Sequence, residues 1–97
     1  MRFEILLAPE AVEDLKRLKA NVRATIRDII ERHLRHAPAA TSKSRIRRLR
    51  GLRRPQYRVR AGEIRIFYDI SGGTAEILAV VTKSEAEAWL EQFGSGK

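Results

Sequence analysis

Cysteine is absent from the chain, which excludes disulfides, thiolate metal sites and cysteine nucleophiles. Two histidines are too few for a histidine-rich metal cluster, and no motif implies a cofactor. No apolar run approaches the ~18 residues that a membrane-crossing helix needs. The N-terminus lacks the pattern of a secretory signal. The expectation is a soluble cytoplasmic protein that does not engage membranes. Aromatic residues make up only 6% of the chain, yet 43% of it is hydrophobic, enough for a proper core and too much for global disorder. Ninety-seven residues read as one domain, 1–97. A chain of that size buries roughly 60% of its unfolded surface, so it is modestly stable alone and stands to gain from a partner.

What the chain has in excess is arginine. Its 20 basic and 12 acidic residues give a net charge of +8. Residues 43–60 hold nine of the basic residues and no acid, so the remainder of the chain carries eleven bases against twelve acids. Eight of the nine are arginine, whose planar fork matches phosphate better than the lysine ammonium does. Concentrated charge of this kind marks a polyanion-binding face, with nucleic acid first and an acidic protein segment second. Lys43, Arg45, Arg47, Arg48, Arg50, Arg53 and Arg54 are the candidate nucleic-acid contacts. Ile46, Leu49 and Leu52 punctuate the run and pin it to the body.

The element pattern is β-α-α-β-β-β-α. Residues 2–8 read as a first strand. Pro9 opens a helix that runs to about Ala20, and Asn21 is a good N-cap for a second that ends near His36, before Pro38. The short joint folds the two back as an αα-hairpin, and 37–44 form a loop. Residues 56–61, 63–70 and 74–82 read as three consecutive strands. Ala61-Gly62 fits the first hairpin loop and Ser71-Gly72-Gly73 the second. Ser84 to Glu87 reads as a capping box opening a last helix, and 94–97 as a frayed tail. The fold class is therefore α+β: an antiparallel four-stranded sheet, a helical hairpin on one face and a short C-terminal helix.

Alternation places Tyr57, Val59, Ile64, Ile66 and Tyr68 on the helix side. Arg58, Arg60, Arg65 and Phe67 fall on the other side, together with the carboxylates Glu63 and Asp69. An Ala61-Gly62 loop sets Arg58 opposite Arg65, and like charges so placed weaken a sheet unless an anion lies between them. Phe67 has two uses open to it: a platform on which a base stacks, or burial under the last helix. Arg65 is either an anion ligand or a salt-bridge partner of Glu63, Asp69 or Glu76.

Three segments carry a resemblance over nearly the whole chain. They are Arg48-Leu49-Arg50-Gly51-Leu52, Gln56-Tyr57-Arg58-Val59-Arg60, and Gly62 to Ile70, with 77–83 as a last strand. In these, and in element order, the chain resembles the RelE/ParE superfamily of bacterial type II toxins. For the RelE branch the resemblance implies a ribosome-dependent, metal-independent mRNA endonuclease driven by 2′-hydroxyl attack. Arg58 and Arg60 then resemble the basic pair of the second strand, Arg65 the transition-state arginine, and Lys83 the one cation near the family's terminal arginine. Trp89 and Leu90 stand in the region of that branch's tyrosine, and no histidine lies there, so the family's acid and base are unmatched. The ParE branch implies a non-enzymatic inhibitor of DNA gyrase, and a third alternative is a weakened relative kept as a binding module. All imply a cognate antitoxin partner, with ribosome and mRNA, or gyrase, as target.

Overall fold

The computed structural model describes residues 2–96. In chain order its elements are β1 (Glu4–Leu7), α1 (Pro9–Lys16), α2 (Ala20–Ile29), β2 (Ile46–Arg48), β3 (Leu52–Arg54), β4 (Tyr57–Ala61), β5 (Ile64–Ser71), β6 (Thr74–Thr82), α3 (Lys83–Phe93) and β7 (Ser95–Gly96). Ile30–Leu34 continues α2 as a wider π-type turn. The sheet has five strands in the order β1-β6-β5-β4-β2, and β3 and β7 form a separate two-stranded pair. Among the described residues no helix is long and apolar enough to cross a membrane.

The fold is α+β as expected, but the sheet is mixed. β1 runs parallel to β6, with Glu4 opposite Thr74 and Leu7 opposite Ile77. The extra strand β2 pairs antiparallel with β4 inside the arginine run. The tail is not frayed through Ser95–Gly96, which pairs with Leu52 and Arg54; Lys97 lies outside the described residues. Asn21 does not cap α2. Lys19 holds that position in extended conformation, and Asn21 instead lends its carbonyl to the Thr25 hydroxyl.

The first hairpin loop is Gly62-Glu63 rather than Ala61-Gly62. Ala61 pairs with Ile64, and Gly62 takes the left-handed φ of +61°, which glycine adopts without a Cβ penalty. That moves the register by two residues. Arg58 now faces Phe67, and Arg60 faces Arg65. The second loop, Gly72-Gly73, is built alike, with Gly72 at φ +59°.

The α1–α2 hairpin covers one face of the sheet. Ala11, Leu15, Ile26, Ile30 and Leu34 pack there against Val59, Ile64, Ile66, Tyr68 and Ile77. Burying such side chains is worth ~1.5–3 kcal/mol each. Beyond Ile77 the outer edge of β6 has no strand neighbour, and Asp14 of α1 supplies the acceptor for the Val80 amide at 2.9 Å. Tyr57 and Tyr68 lie toward the helices, as expected, with rings stacked 5.4 Å apart. The buried Tyr68 hydroxyl donates to the buried Pro38 carbonyl at 2.6 Å, and burial pushes its phenol well above the ordinary value. Tyr68→Phe orphans that carbonyl, and urea unfolding is expected to register a loss of about 1–2 kcal/mol.

Candidate anion-binding site

On the other face, α3 crosses β5 and β6. Its first turn is fixed by a box that begins earlier than the sequence implied, at Thr82: Glu85 Oε1 accepts the Thr82 amide at 3.1 Å and the Thr82 hydroxyl at 2.9 Å. Farther along, the Trp89 indole lies parallel to the Phe67 ring, 5.0 Å between centroids and 5° between planes. Phe67 is 0% exposed. Burial under the last helix is thus the use the fold makes of it, and the ring face that a nucleobase would need is occupied by Trp89.

Helical spacing divides α3 between two grooves. Ala88, Trp89, Gln92 and Phe93 face a groove of about 690 Å³ against α1. Glu10, Glu13, Asp14 and Glu85 line that groove with Arg17 as its one cation, the wrong sign for phosphate. Lys83, Ala86, Glu87 and Leu90 face a second concavity of about 520 Å³, also lined by Arg47, Arg48, Leu49, Arg50, Arg58, Arg65 and Phe67. Six cations and one carboxylate, Glu87, converge there.

Arg58 sits at the centre of this charge. Its Nε is buried and has no hydrogen-bond partner. Burial lowers the guanidinium pKa, and repulsion from Arg65, Arg47 and Arg60 lowers it further. Both effects oppose the charged form, and an anion entering the concavity would relieve both. Among the described residues no carboxylate pairs with Arg58, Arg47, Arg50 or Arg65.

The other predicted residues divide by what holds them. Arg65 is 6% exposed and donates to the Gly62 and Ile64 carbonyls at 2.7 and 3.1 Å. It therefore braces the hairpin loop while lining the cavity, and it takes none of the three salt-bridge partners expected of it. Asp69 and Glu76 are held by Arg54 at 3.2 and 3.4 Å. Asp69 also accepts the Gln56 amide at 2.7 Å, so it is no free base. Arg45 donates to the Arg60 carbonyl at 2.8 Å. Arg48 donates to the Gln56 carbonyl at 2.8 Å and lies 5.2 Å above the Tyr57 ring. Arg60 shares the face but not the cavity, and Arg53 is exposed elsewhere. Lys43 lines a neighbouring basic concavity with Arg47, Arg48 and Arg50. Ile46 is buried in the core, which is what pins the arginine run down. Glu63 is an exposed loop residue whose carbonyl accepts the Lys83 amide at 2.7 Å. Sequence reading gave Glu87 to a capping box opened by Ser84, whereas the box is Thr82–Glu85; the signal for the cavity was its place four residues after Lys83, on one helical face.

The Glu85 box makes the seating of α3 pH-dependent. Bonds from the Thr82 amide and hydroxyl lower the Glu85 pKa below its ordinary 4.5. The contribution of the box is complete above pH 4.5 and is lost as pH falls through the depressed value. Trp89, the one tryptophan, reports it. Its fluorescence is expected to change in that acid range, and the Glu85→Ala variant, which removes the acceptor, to show the low-pH signal already at neutral pH.

The family model for the ParE toxin of the type II toxin-antitoxin system parDE matches residues 5–87. No curated protein matches the chain. Among solved structures, the chain is similar to one from the RelB-RelE antitoxin-toxin complex of Methanococcus jannaschii. Identity is 26% and the TM-score 0.68, with 87% of this chain and 96% of that one covered. It is similar also to one from the toxin-antitoxin complex RelBE2 of Mycobacterium tuberculosis (24% identity, TM-score 0.67, 84% and 99% covered). The E. coli toxin RelE, in the free state and with two of its arginines replaced by alanine, shares the fold at 14% identity (TM-score 0.70, 96% and 99% covered).

Proposed function

The chain belongs to the ParE toxin family of type II toxin-antitoxin systems, and we propose that it acts there as a RelE-like endonuclease on ribosome-bound mRNA. The observation that carries this reading is Arg58, half-buried with an orphaned Nε amid cations that no carboxylate neutralises. A site built at that cost is prepared for an anion. A phosphodiester undergoing 2′-hydroxyl attack gains negative charge, and preorganised guanidinium groups stabilise it as it forms. Arg58 and Arg65 line the cavity and supply that stabilisation, with Lys83 at its α3 side. Arg60, on the same face outside the cavity, steers the polyanion. So do Lys43 and Arg53.

The partner is a cognate antitoxin, as in the complexes of the archaeal and mycobacterial relatives. An acidic antitoxin segment laid across the six-cation concavity would be steered by charge and would exclude RNA.

Mapping messenger ends after induced expression tests the proposal. Cuts within translated codons support it; growth arrest without such cuts refutes it. A second reading, a gyrase poison, is favoured by the ParE model match and by tryptophan and leucine standing where an RNase would carry a proton-exchanging side chain. Trapped cleaved DNA in a supercoiling assay with purified gyrase would establish that reading instead.

A further inference from the structure

The cavity offers cations in plenty and, among its lining residues, a single group able to take a proton from a hydroxyl at neutral pH. That group is the Glu87 carboxylate. Lys83, Ala86, Glu87 and Leu90 recur at helical spacing and form the wall that α3 turns toward the arginines. Glu87 is exposed. Among the described residues it forms no ion pair with any cation. Of the other acids, Asp69 is held by Arg54 and Gln56, Glu76 by Arg54 and Glu85 at the start of α3, while Glu63 and Glu91 do not line the cavity.

We propose that Glu87 is the general base of the cleavage reaction, an assignment that rests on the endonuclease reading above. The Glu87 carboxylate takes the proton of the 2′-hydroxyl. The freed electron pair forms the bond from the 2′-oxygen to phosphorus. The bond from phosphorus to the 5′-oxygen breaks, its pair stays on that oxygen, and solvent protonates it. The proton on Glu87 then returns to solvent, so charge and protons balance. The products are a 2′,3′-cyclic phosphate and a 5′-hydroxyl. The groups facing Glu87 across the cavity are Arg47, Arg48 and Arg50 from β2 and the turn after it, Arg58 from β4 and Arg65 from β5, with Lys83 one turn before it on α3. All are cations, which hold the phosphate oxygens during the transfer.

The test is single-turnover cleavage of a synthetic messenger on programmed ribosomes, followed across pH for the wild type, Glu87→Gln and Glu87→Asp. General-base catalysis contributes ~10²–10⁴-fold, so Glu87→Gln is expected to slow cleavage at least about 10²-fold. It should also lose the acid limb along which the wild-type rate climbs with pH. Glu87→Asp should keep the limb at a reduced rate. Binding to a messenger made 2′-deoxy at the mapped cut should be unweakened in Glu87→Gln, which a merely structural role for Glu87 would not combine with a lost limb. Wild-type cutting with an unchanged Glu87→Gln rate and pH profile overturns this assignment alone. No cutting by the wild type overturns the endonuclease reading and this assignment with it.

Discussion

Arg58→Ala is expected to abolish growth arrest in cells and to lower messenger cleavage about 10²–10³-fold, the cost of removing one preorganised donor from a developing oxyanion. The fold should not suffer. Arg58 makes no ion pair among the described residues, its Nε is orphaned, and burial and three arginine neighbours all disfavour its charge. Taking away an unsatisfied half-buried cation is neutral or stabilising. The thermal midpoint of purified Arg58→Ala should therefore match or exceed that of the wild type, and that combination separates a functional arginine from a structural one. Arg65→Ala would not separate them, because its guanidinium also braces the Gly62 and Ile64 carbonyls. Full toxicity in Arg58→Ala would remove the anion site from the account.

Phe67→Ala should have the largest effect on stability. The ring is fully buried between the sheet and Trp89. Such truncations cost ~3–5 kcal/mol, against a total of about 5–15 kcal/mol for a domain. No residue of α3 is fully buried, so the helix is seated on the sheet chiefly by this stack and by the Lys83 amide, which donates to the Glu63 carbonyl at 2.7 Å. In urea, Trp89 fluorescence of the variant should lose its native signal before far-ultraviolet circular dichroism reports the sheet. A loss below about 1 kcal/mol, well under the usual range for such truncations, with both signals moving together, would contradict this picture.

Strands β4 and β5 were legible because strict alternation, as in Tyr57–Ala61 and Ile64–Ile70, admits one reading, and β6 because its apolar run reads as a central strand covered on both faces. Their register was not. Ala61-Gly62 and Gly62-Glu63 both make two-residue loops, and only the positive φ of Gly62 decides between them. The continuous apolar run of β6 is also explained. Leu78 is an extra residue between the Tyr68–Ile77 and Phe67–Ala79 pairs, so the strand changes phase there and is buried on both sides. Parallel pairing of β1 with β6 was invisible, because nothing local to Glu4–Leu7 marks a partner some seventy residues away. β2 was hidden for another reason: Ile46–Arg48 is three residues long and two of them are arginine. At the site, composition located the charge but could not say which guanidinium groups the fold spends on itself. Arg45, Arg48, Arg54 and Arg65 are spent in that way. Arg47, Arg50 and Arg58 are the arginines lining the cavity that no such bond holds.

The parallel β1–β6 pair also bears on how the protein comes into being. An edge strand must wait for a neighbour some seventy residues farther along the chain, and closure across so long a loop is slow. Lys83 and Glu87 complete the basic concavity only after that neighbour has emerged. During synthesis the concavity is therefore incomplete until β6 and α3 have left the ribosome, which leaves a cell an interval to have a neutralising protein already waiting.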